Sequence, residues 1–200
     1  MELRDALAQI SEIRQQVARG ETFRGYRALP LAFSGALALV GGVIQSTCIV
    51  EPTRDLRAYF TLWIGLALFS LLATGWELAA RWRRCCSLLE REKIVLAVTQ
   101  FLPCLVAGTL LWIVLARFAP ESVWMLPGLW CILFGLGIFA SWRFLPPAIL
   151  WSGVFYLVAG FLCLAWAQRE AALSPWAMAL PFGVGQLLTA AILYWNLERQ

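Results

Sequence analysis

The sequence predicts an all-α, polytopic membrane protein: a bundle of six transmembrane helices preceded by an N-terminal amphipathic helix. Hydrophobic residues make up 61% of the chain and charged residues only 14%, whereas about 25% of the residues in soluble domains are charged. The apolar residues form six blocks, each of roughly 20 residues, the length at which a helix crosses about 30 Å of hydrocarbon. Because these blocks are continuous and do not alternate with polar residues, they exclude a transmembrane β-barrel.

The first predicted element is an amphipathic helix over residues 2–19, ELRDALAQISEIRQQVAR. Its apolar side chains recur at three- and four-residue steps, and its other face is charged. The candidate docking residues on the apolar face are Leu3, Ile10, Ile13 and Val17. Leu3, Ile10 and Val17 repeat every seven residues, as in a coiled coil. Because about two and a half heptads are too few to decide, two interpretations stay open: a helix at the membrane surface or beneath the spans, or a helix that docks a protein partner or a second copy.

The apolar blocks place all six spans in the remainder of the chain. We expect residues 1–28 to form the cytoplasmic or interfacial helix and residues 29–200 to form one transmembrane domain. The spans are predicted near residues 29–50, 58–80, 94–117, 123–142, 147–168 and 175–196. The first 22 residues hold four acids and three arginines and no apolar stretch, so they do not resemble a signal peptide. We therefore expect span 1 to remain in the mature protein.

Basic residues predict the orientation, because short loops rich in Lys and Arg remain in the cytoplasm. With the N-terminus inside, twelve of the 16 Lys and Arg residues fall in inner segments, most densely at residues 81–93. The outer ones are Arg54, Arg57, Arg117 and Arg169. We therefore expect a multi-pass inner-membrane protein with both termini in the cytoplasm. The net charge of +4 then reflects this topology, and no nucleic-acid partner is expected.

The absence of histidine restricts the metal-binding and catalytic chemistry that the chain can perform. Without a His residue in the sequence, bis-histidine haem ligation, histidine-based zinc hydrolysis and Ser–His catalysis each lack an essential group. The six cysteines contain no C-x-x-C pair, and we interpret them as apolar fillers. Acylation or redox activity at the adjacent Cys85 and Cys86 is the alternative. We expect no catalytic residue, no metal site, no cofactor and no enzyme activity.

Deep polar residues are the remaining candidates for ligand binding. Glu77 is the only acid inside a predicted span, and Arg81 follows it in the order that favours a helical ion pair. Both side chains can reach the inner interface, but Glu77 would be the best cation ligand if it faced a cavity. Gln100 and Gln186 are deep amides of the kind that hydrogen-bond between helices.

The tryptophans mostly fall at the two predicted membrane interfaces, where an aromatic belt is expected. Trp63 and Trp130 lie deeper. We interpret both as packed or lipid-facing indoles, and ligand stacking is the alternative.

Two prolines interrupt spans, whereas most of the others lie near span starts, where proline is tolerated. Pro103 and Pro181 each remove an intrahelical hydrogen bond and displace the carbonyl four residues earlier, at Thr99 or Ala177. Their segments, QFLPCLVAGTLL and MALPFGVGQLLT, share Leu-Pro, small residues and a Leu-Leu pair. Matching interrupted helices in inverted halves are typical of transporters. Leu-Pro occurs five times in this chain, however, and proline kinks are ordinary in membrane helices, so a packing role stays the competing interpretation.

The segment ETFRGYRALPLAFSG, together with MLPGLW and LPFGVGQLL, resembles a group of uncharacterised bacterial six-span inner-membrane proteins that share a short amphipathic N-terminal helix. The resemblance covers nearly the whole chain. It implies a bacterial inner-membrane protein and carries over no functional residues.

The leading interpretation is a non-enzymatic integral membrane protein, a structural or regulatory component that contacts a partner through its N-terminal helix. The alternative is a small transporter, or a binder of lipid or another apolar ligand, that uses the kinked spans 3 and 6 with Gln100, Gln186 and Glu77. Convergence of these three side chains on a water-accessible cavity would favour transport. Their burial between packed helices would favour the structural role.

Reporter fusions test the predicted orientation. A reporter that folds only in the cytoplasm should be active after Gln200, and a phosphatase that is active only outside should be silent there, because the basic residues hold this end inside. Fusions after Ala119, in the predicted loop between spans 3 and 4, should give the reverse result. A phosphatase active after Gln200 and silent after Ala119 would overturn the topology.

Overall fold

The structure is a computed structural model that describes residues 28–49, 51–84, 88–142, 145–166 and 171–198. The amphipathic helix predicted over residues 2–19 lies outside these residues, and so do its four docking candidates. The adjacent Cys85 and Cys86 also lie outside them. The architecture below therefore concerns the transmembrane domain.

The described residues form six long helices, which confirms the predicted all-α bundle. The helices are α1 (Ala28–Cys48), α2 (Leu56–Arg84), α3 (Leu88–Phe118), α4 (Leu126–Ser141), α5 (Ile149–Trp166) and α6 (Pro175–Leu193). The shorter segments are a 3-10 helix at Pro120–Met125 that runs into α4, a 3-10 turn at Ala171–Leu173 and a π-helical turn at Tyr194–Glu198 after α6. Each of the six helices, with α4 and α6 counted together with their adjoining turns, is long and apolar enough to cross a membrane.

The helices α2 and α3 are longer than the spans predicted for them, with 29 and 31 residues. The sequence between those spans contains neither Gly nor Pro and is rich in Arg, Leu and Glu, which favour helix. The apolar window of α2 ends at Ala80 and that of α3 begins at Val98. The charged ends of both helices therefore extend beyond the hydrocarbon on the predicted cytoplasmic side.

The helices are neighbours in the order α2–α1–α6–α5–α4–α3. Although α2 and α3 are consecutive in the sequence, they make few contacts with each other. They approach at the predicted outer end, where the rings of Phe60 and Trp112 are 6.2 Å apart. Toward the predicted cytoplasmic end they leave a groove, which is described below.

Glycines allow α1 to approach α6 and α4 to approach α5 closely. A Cβ atom on Gly35 of α1 would lie 2.9 Å from the carbonyl oxygen of Gly183 on α6. A Cβ atom on Gly160 of α5 would lie 2.7 Å from the carbonyl oxygen of Gly128 on α4. Both distances are shorter than a C···O contact of about 3.3 Å, so a side chain would force the helices apart. Small residues at such crossings allow the close packing that holds helices together in lipid.

Buried side chains form two clusters. The cluster at the predicted outer end contains Tyr59, Phe60, Trp63, Val123, Leu126, Leu173, Met178 and Ala179. The second contains Cys131, Ile138, Ile149, Tyr156 and Leu193. The first joins α2 to α4 and α6, and the second joins α4, α5 and α6. Together with the glycine crossing between α1 and α6, they make α1, α4, α5 and α6, with the outer half of α2, one packed unit.

Gly160→Ala should destabilise the bundle by about 1–3 kcal/mol, because the added methyl group forces α4 and α5 apart. The matched control is Gly65→Ala in α2, where a Cβ atom meets nothing within 4 Å. This control should be neutral or slightly stabilising, since Ala favours a helix more than Gly does. Thermal unfolding of both variants in one detergent measures the difference. Equal midpoints would contradict the packing described here.

Candidate functional site

Gln45 of α1 is fully buried and hydrogen-bonded at both ends of its amide group. Its Oε1 atom accepts a hydrogen bond of 2.8 Å from the indole Nε1 of Trp63 on α2. Its Nε2 atom donates a hydrogen bond of 2.8 Å to the carbonyl oxygen of Leu173, just before α6. The amide therefore joins α2 and the connection before α6 to α1. Such pairing offsets the cost of burying polar atoms in an apolar interior.

The two deep indoles, Trp63 and Trp130, both take part in helix packing. Trp63 is buried and donates to Gln45, as described above. Trp130 of α4 donates a hydrogen bond of 3.1 Å to the carbonyl oxygen of Gly108 on α3. A Cβ atom on Gly108 would lie 3.4 Å from the Trp130 ring, an ordinary van der Waals distance, so the ring packs against α3 at this position. The structure thus supports packed indoles over ligand stacking.

Gln186 of α6 lies at the crossing with α1. Its side chain is buried, and its Cβ atom lies 3.1 Å from the position that a Cβ atom on Gly35 would occupy. The preceding residue, Gly185, contacts Tyr156 of α5, because a Cβ atom there would lie 2.6 Å from the tyrosine hydroxyl oxygen. Gln186 is therefore enclosed between α1 and the α5–α6 contact.

Helices α3 and α6 continue through Pro103 and Pro181, and an aromatic chain links these two segments. The ring of Phe134 on α4 lies 5.0 Å from that of Phe101, two residues before Pro103. The same ring lies 5.8 Å from that of Phe182, which follows Pro181. Both pairs are edge-to-face, the arrangement that aromatic side chains favour. The contact between the two proline segments is therefore made by apolar rings.

An open groove of about 390 Å³ separates α2 from α3 toward the predicted cytoplasmic end. This α2–α3 groove is lined by Gly75, Leu78, Ala79, Trp82, Arg83, Val95, Val98 and Thr99. The lining residues of α2 follow steps of three and four, so they share one face of that helix. Among the lining residues that the structure describes, Arg83 is the charged one. A Cβ atom on Gly75 would meet nothing within 4 Å, which shows how open the groove is at this position.

Glu77 and Gln100 belong to the two helices that form the groove, but neither residue lines it. Glu77 is two residues beyond Gly75 and therefore about 200° further around α2, on the far side from the groove. Gln100 follows the lining residue Thr99, and its buried Oε1 atom has no hydrogen-bond partner among the described atoms. Pro103 lacks the N–H group that would bond the Thr99 carbonyl oxygen. The proline thus acts on the backbone of a residue that lines the groove.

The structure divides the five predicted ligand residues between two places. Glu77, Gln100 and Pro103 lie on α2 and α3 near the groove. Pro181 and Gln186 lie on α6, which packs against α1. None of the five lines the α2–α3 groove. Their role in ligand binding stays a prediction.

Metal-ligating and thiol groups are dispersed in the described part of the chain. No three His, Cys, Asp or Glu side chains gather there in positions that could hold a metal ion. The cysteines described, all with free thiols, are Cys48, Cys104, Cys131 and Cys163.

No family model matches the chain, and neither a curated protein nor a solved structure matches it. The similarity to bacterial six-span proteins therefore stays an expectation.

Gln45 and the α2–α3 groove are absent from the sequence prediction. Gln45 follows Gly42 by three residues, which places its side chain on the same face as a small-residue contact. That spacing is a signal for a polar group buried at a helix crossing. The groove has no comparable signal, because its opening depends on how far α2 and α3 diverge.

A double-mutant cycle tests the Gln45–Trp63 hydrogen bond. Gln45→Leu leaves the Trp63 N–H group unpaired, and Trp63→Phe leaves Oε1 of Gln45 without a donor. Each change should lower the free energy of unfolding by about 1–3 kcal/mol. Because both remove the same bond, the double variant should lose about 0.5–1.5 kcal/mol less than the sum.

Chemical unfolding in mixed micelles measures these free energies. The control is Thr47→Val, since the Thr47 hydroxyl is exposed and donates to carbonyl oxygens within its own helix, at 3.1 Å. It should change stability little. Strictly additive losses in the Gln45–Trp63 cycle would show that the two side chains are not coupled.

Proposed function

We propose that this protein is a non-enzymatic component of the bacterial inner membrane with a structural or regulatory role, and that it contacts a partner through its cytoplasmic N-terminal helix. The observation that carries the proposal is the burial of the deep amides between helices. Gln45 is bonded to two other elements, and Gln186 is enclosed at the α1–α6 crossing. A transport or catalytic site would require such groups to face a water-accessible cavity.

Close glycine packing gives this proposal further support. Alternating access requires one part of a bundle to move against another around a central site. Here the contacts of Gly35 with Gly183 and of Gly128 with Gly160 bring backbones together at two crossings. Such interlocked helices suit a rigid support that presents a cytoplasmic segment to a partner.

The N-terminal helix is the segment that we propose to be presented. Its apolar face carries Leu3, Ile10, Ile13 and Val17. The distribution of basic residues supports a cytoplasmic position for this helix and the C-terminus. Its partner is a protein or a second copy of the chain, and membrane lipids surround the spans. The proposal requires no cofactor, metal ion or nucleic acid.

A second candidate is a small transporter or a binder of an apolar ligand, and the aromatic chain between the proline segments favours it. Because Phe134 contacts both Phe101 and Phe182, a movement of one proline segment would be transmitted to the other. Gln100 and Gln186 would then supply polar contacts. Substrate uptake that depends on this protein and is lost in Gln100→Leu and Gln186→Leu would favour this candidate over the structural role.

Ile10→Glu in the full-length protein should abolish partner binding while the chain still inserts, because the substitution places a charge on the apolar face of the helix. Gln15→Glu adds the same charge to the opposite face and should leave binding intact. Mild purification followed by identification of co-purifying proteins and cross-linked dimers measures the partner. Membrane yield measures insertion.

The same measurement on a chain without residues 1–19 completes the test. We expect this deletion to match Ile10→Glu, with normal insertion and no partner. Unchanged co-purification in the deletion, or equal behaviour of Ile10→Glu and Gln15→Glu, would contradict the proposed docking role.

A further inference from the structure

The α2–α3 groove lies at the depth where a lipid acyl chain meets its headgroup. The apolar windows of the two helices are Leu56–Ala80 and Val98–Phe118. Gly75 lies inside the first window, and Arg83 lies three residues beyond its end, about 4–5 Å at 1.5 Å per residue. The groove therefore begins in the hydrocarbon and ends at the level of the headgroups.

The groove opens away from the protein core. Leu66 contacts α1 at Gly41, and it precedes Gly75 by nine residues, which corresponds to about half a turn around α2. On α3, Cys104 contacts α4 at Gly137 and follows Val95 by nine residues, which is again about half a turn. Both lining faces are thus opposite the faces that pack on the bundle. A groove so placed is reached from the lipid.

The described lining combines an apolar surface with the cation of Arg83 at its end. Leu78, Ala79, Val95 and Val98 offer only aliphatic side chains, and the Thr99 hydroxyl donates to carbonyl oxygens of its own helix. A guanidinium group such as that of Arg83 can bind phosphate through two parallel hydrogen bonds. The volume of about 390 Å³ is within the range of small-molecule sites.

We propose that the α2–α3 groove binds one anionic glycerophospholipid, with an acyl chain along the aliphatic lining and the phosphate on Arg83. Trp82, a partly exposed indole in the same lining, suits the boundary between chain and headgroup. Basic sites between helices on the cytoplasmic side are typical positions for anionic lipid headgroups. This proposal does not rest on the docking role of residues 2–19, and the groove lies apart from Pro181 and Gln186 on α6.

Native mass spectrometry of the purified full-length protein tests the site. The probes are phosphatidylglycerol and phosphatidylcholine with identical acyl chains. Phosphatidylglycerol should bind about fivefold more tightly, the factor that corresponds to the roughly 1 kcal/mol contributed by one arginine at an anionic lipid surface. Arg83→Gln should remove this preference. Arg117→Gln, in the last turn of α3 at the end away from the groove, should preserve it.

Gly75→Leu tests the acyl part of the groove separately. Because a Cβ atom on Gly75 meets nothing within 4 Å, the leucine can fill the groove without displacing protein atoms. It should weaken both lipids at least tenfold, whereas Gly65→Leu, at an equally open glycine of α2, should not. A phosphatidylglycerol with a photoactivatable acyl chain should cross-link within residues 75–83 or 95–99.

Several outcomes would overturn the proposal. Equal loss of preference in Arg83→Gln and Arg117→Gln would indicate general attraction of anionic lipid. Displacement of the lipid by inorganic phosphate alone would indicate an anion site without an acyl contribution. Cross-links confined to other residues, or a dimer mass that replaces the lipid-bound monomer, would assign the groove to another occupant.

Discussion

The close approach of helix backbones at glycine positions is the constraint on which the rest of the structure depends. In lipid, apolar side chains gain little by moving from acyl chains to another helix, so association relies on close packing and on hydrogen bonds between helices. Gly35 against Gly183 and Gly128 against Gly160 provide that packing at two crossings. The Gln45 amide can bond two neighbouring elements at once because α1 lies so close to α6 and α2. The buried hydrogen bonds therefore depend on the glycine contacts, and they hold the helices together alongside those contacts.

Helices α2 and α3 take no part in these two glycine crossings, and they are less buried than the other helices. In the window assigned to α3 only 6% of the residues are buried, against 44% in those of α4 and α6, so α3 contributes little to the core. Helix α2 joins the core through its outer half, where Phe60, Trp63 and Tyr59 are buried, and its inner half diverges from α3. The bundle therefore has a packed part and an open hairpin. The packed part corresponds to the proposed rigid support, and the open hairpin contains the proposed lipid site.

The proline in QFLPCLVAG illustrates how packing determines the meaning of a sequence feature. From the sequence alone, Pro103 and Pro181 are both expected to interrupt their helices and either to shape packing or to help form a ligand site. In the bundle, their neighbours Phe101 and Phe182 meet through Phe134, so the segments face a common aromatic cluster. The carbonyl that Pro103 leaves without its usual donor belongs to Thr99, which lines the α2–α3 groove. Pro103 thus lies in a segment that contacts the aromatic cluster through Phe101 and lines the groove through Thr99.

The number of spans, the all-α class and the approximate bounds of the helices follow from the sequence, because the thickness of hydrocarbon that a helix must cross dictates the length of each apolar block. The sequence also indicates that the deep indoles would serve packing, as Trp63 does. Which helices are neighbours, which glycines meet and where the groove opens become apparent only in the folded bundle. These properties depend on distances between residues far apart in the chain, and lipid-exposed and packed faces of a membrane helix are both apolar. Gly65 and Gly160 look alike in the sequence, and only the neighbouring helix distinguishes an open glycine from one that a methyl group would disrupt.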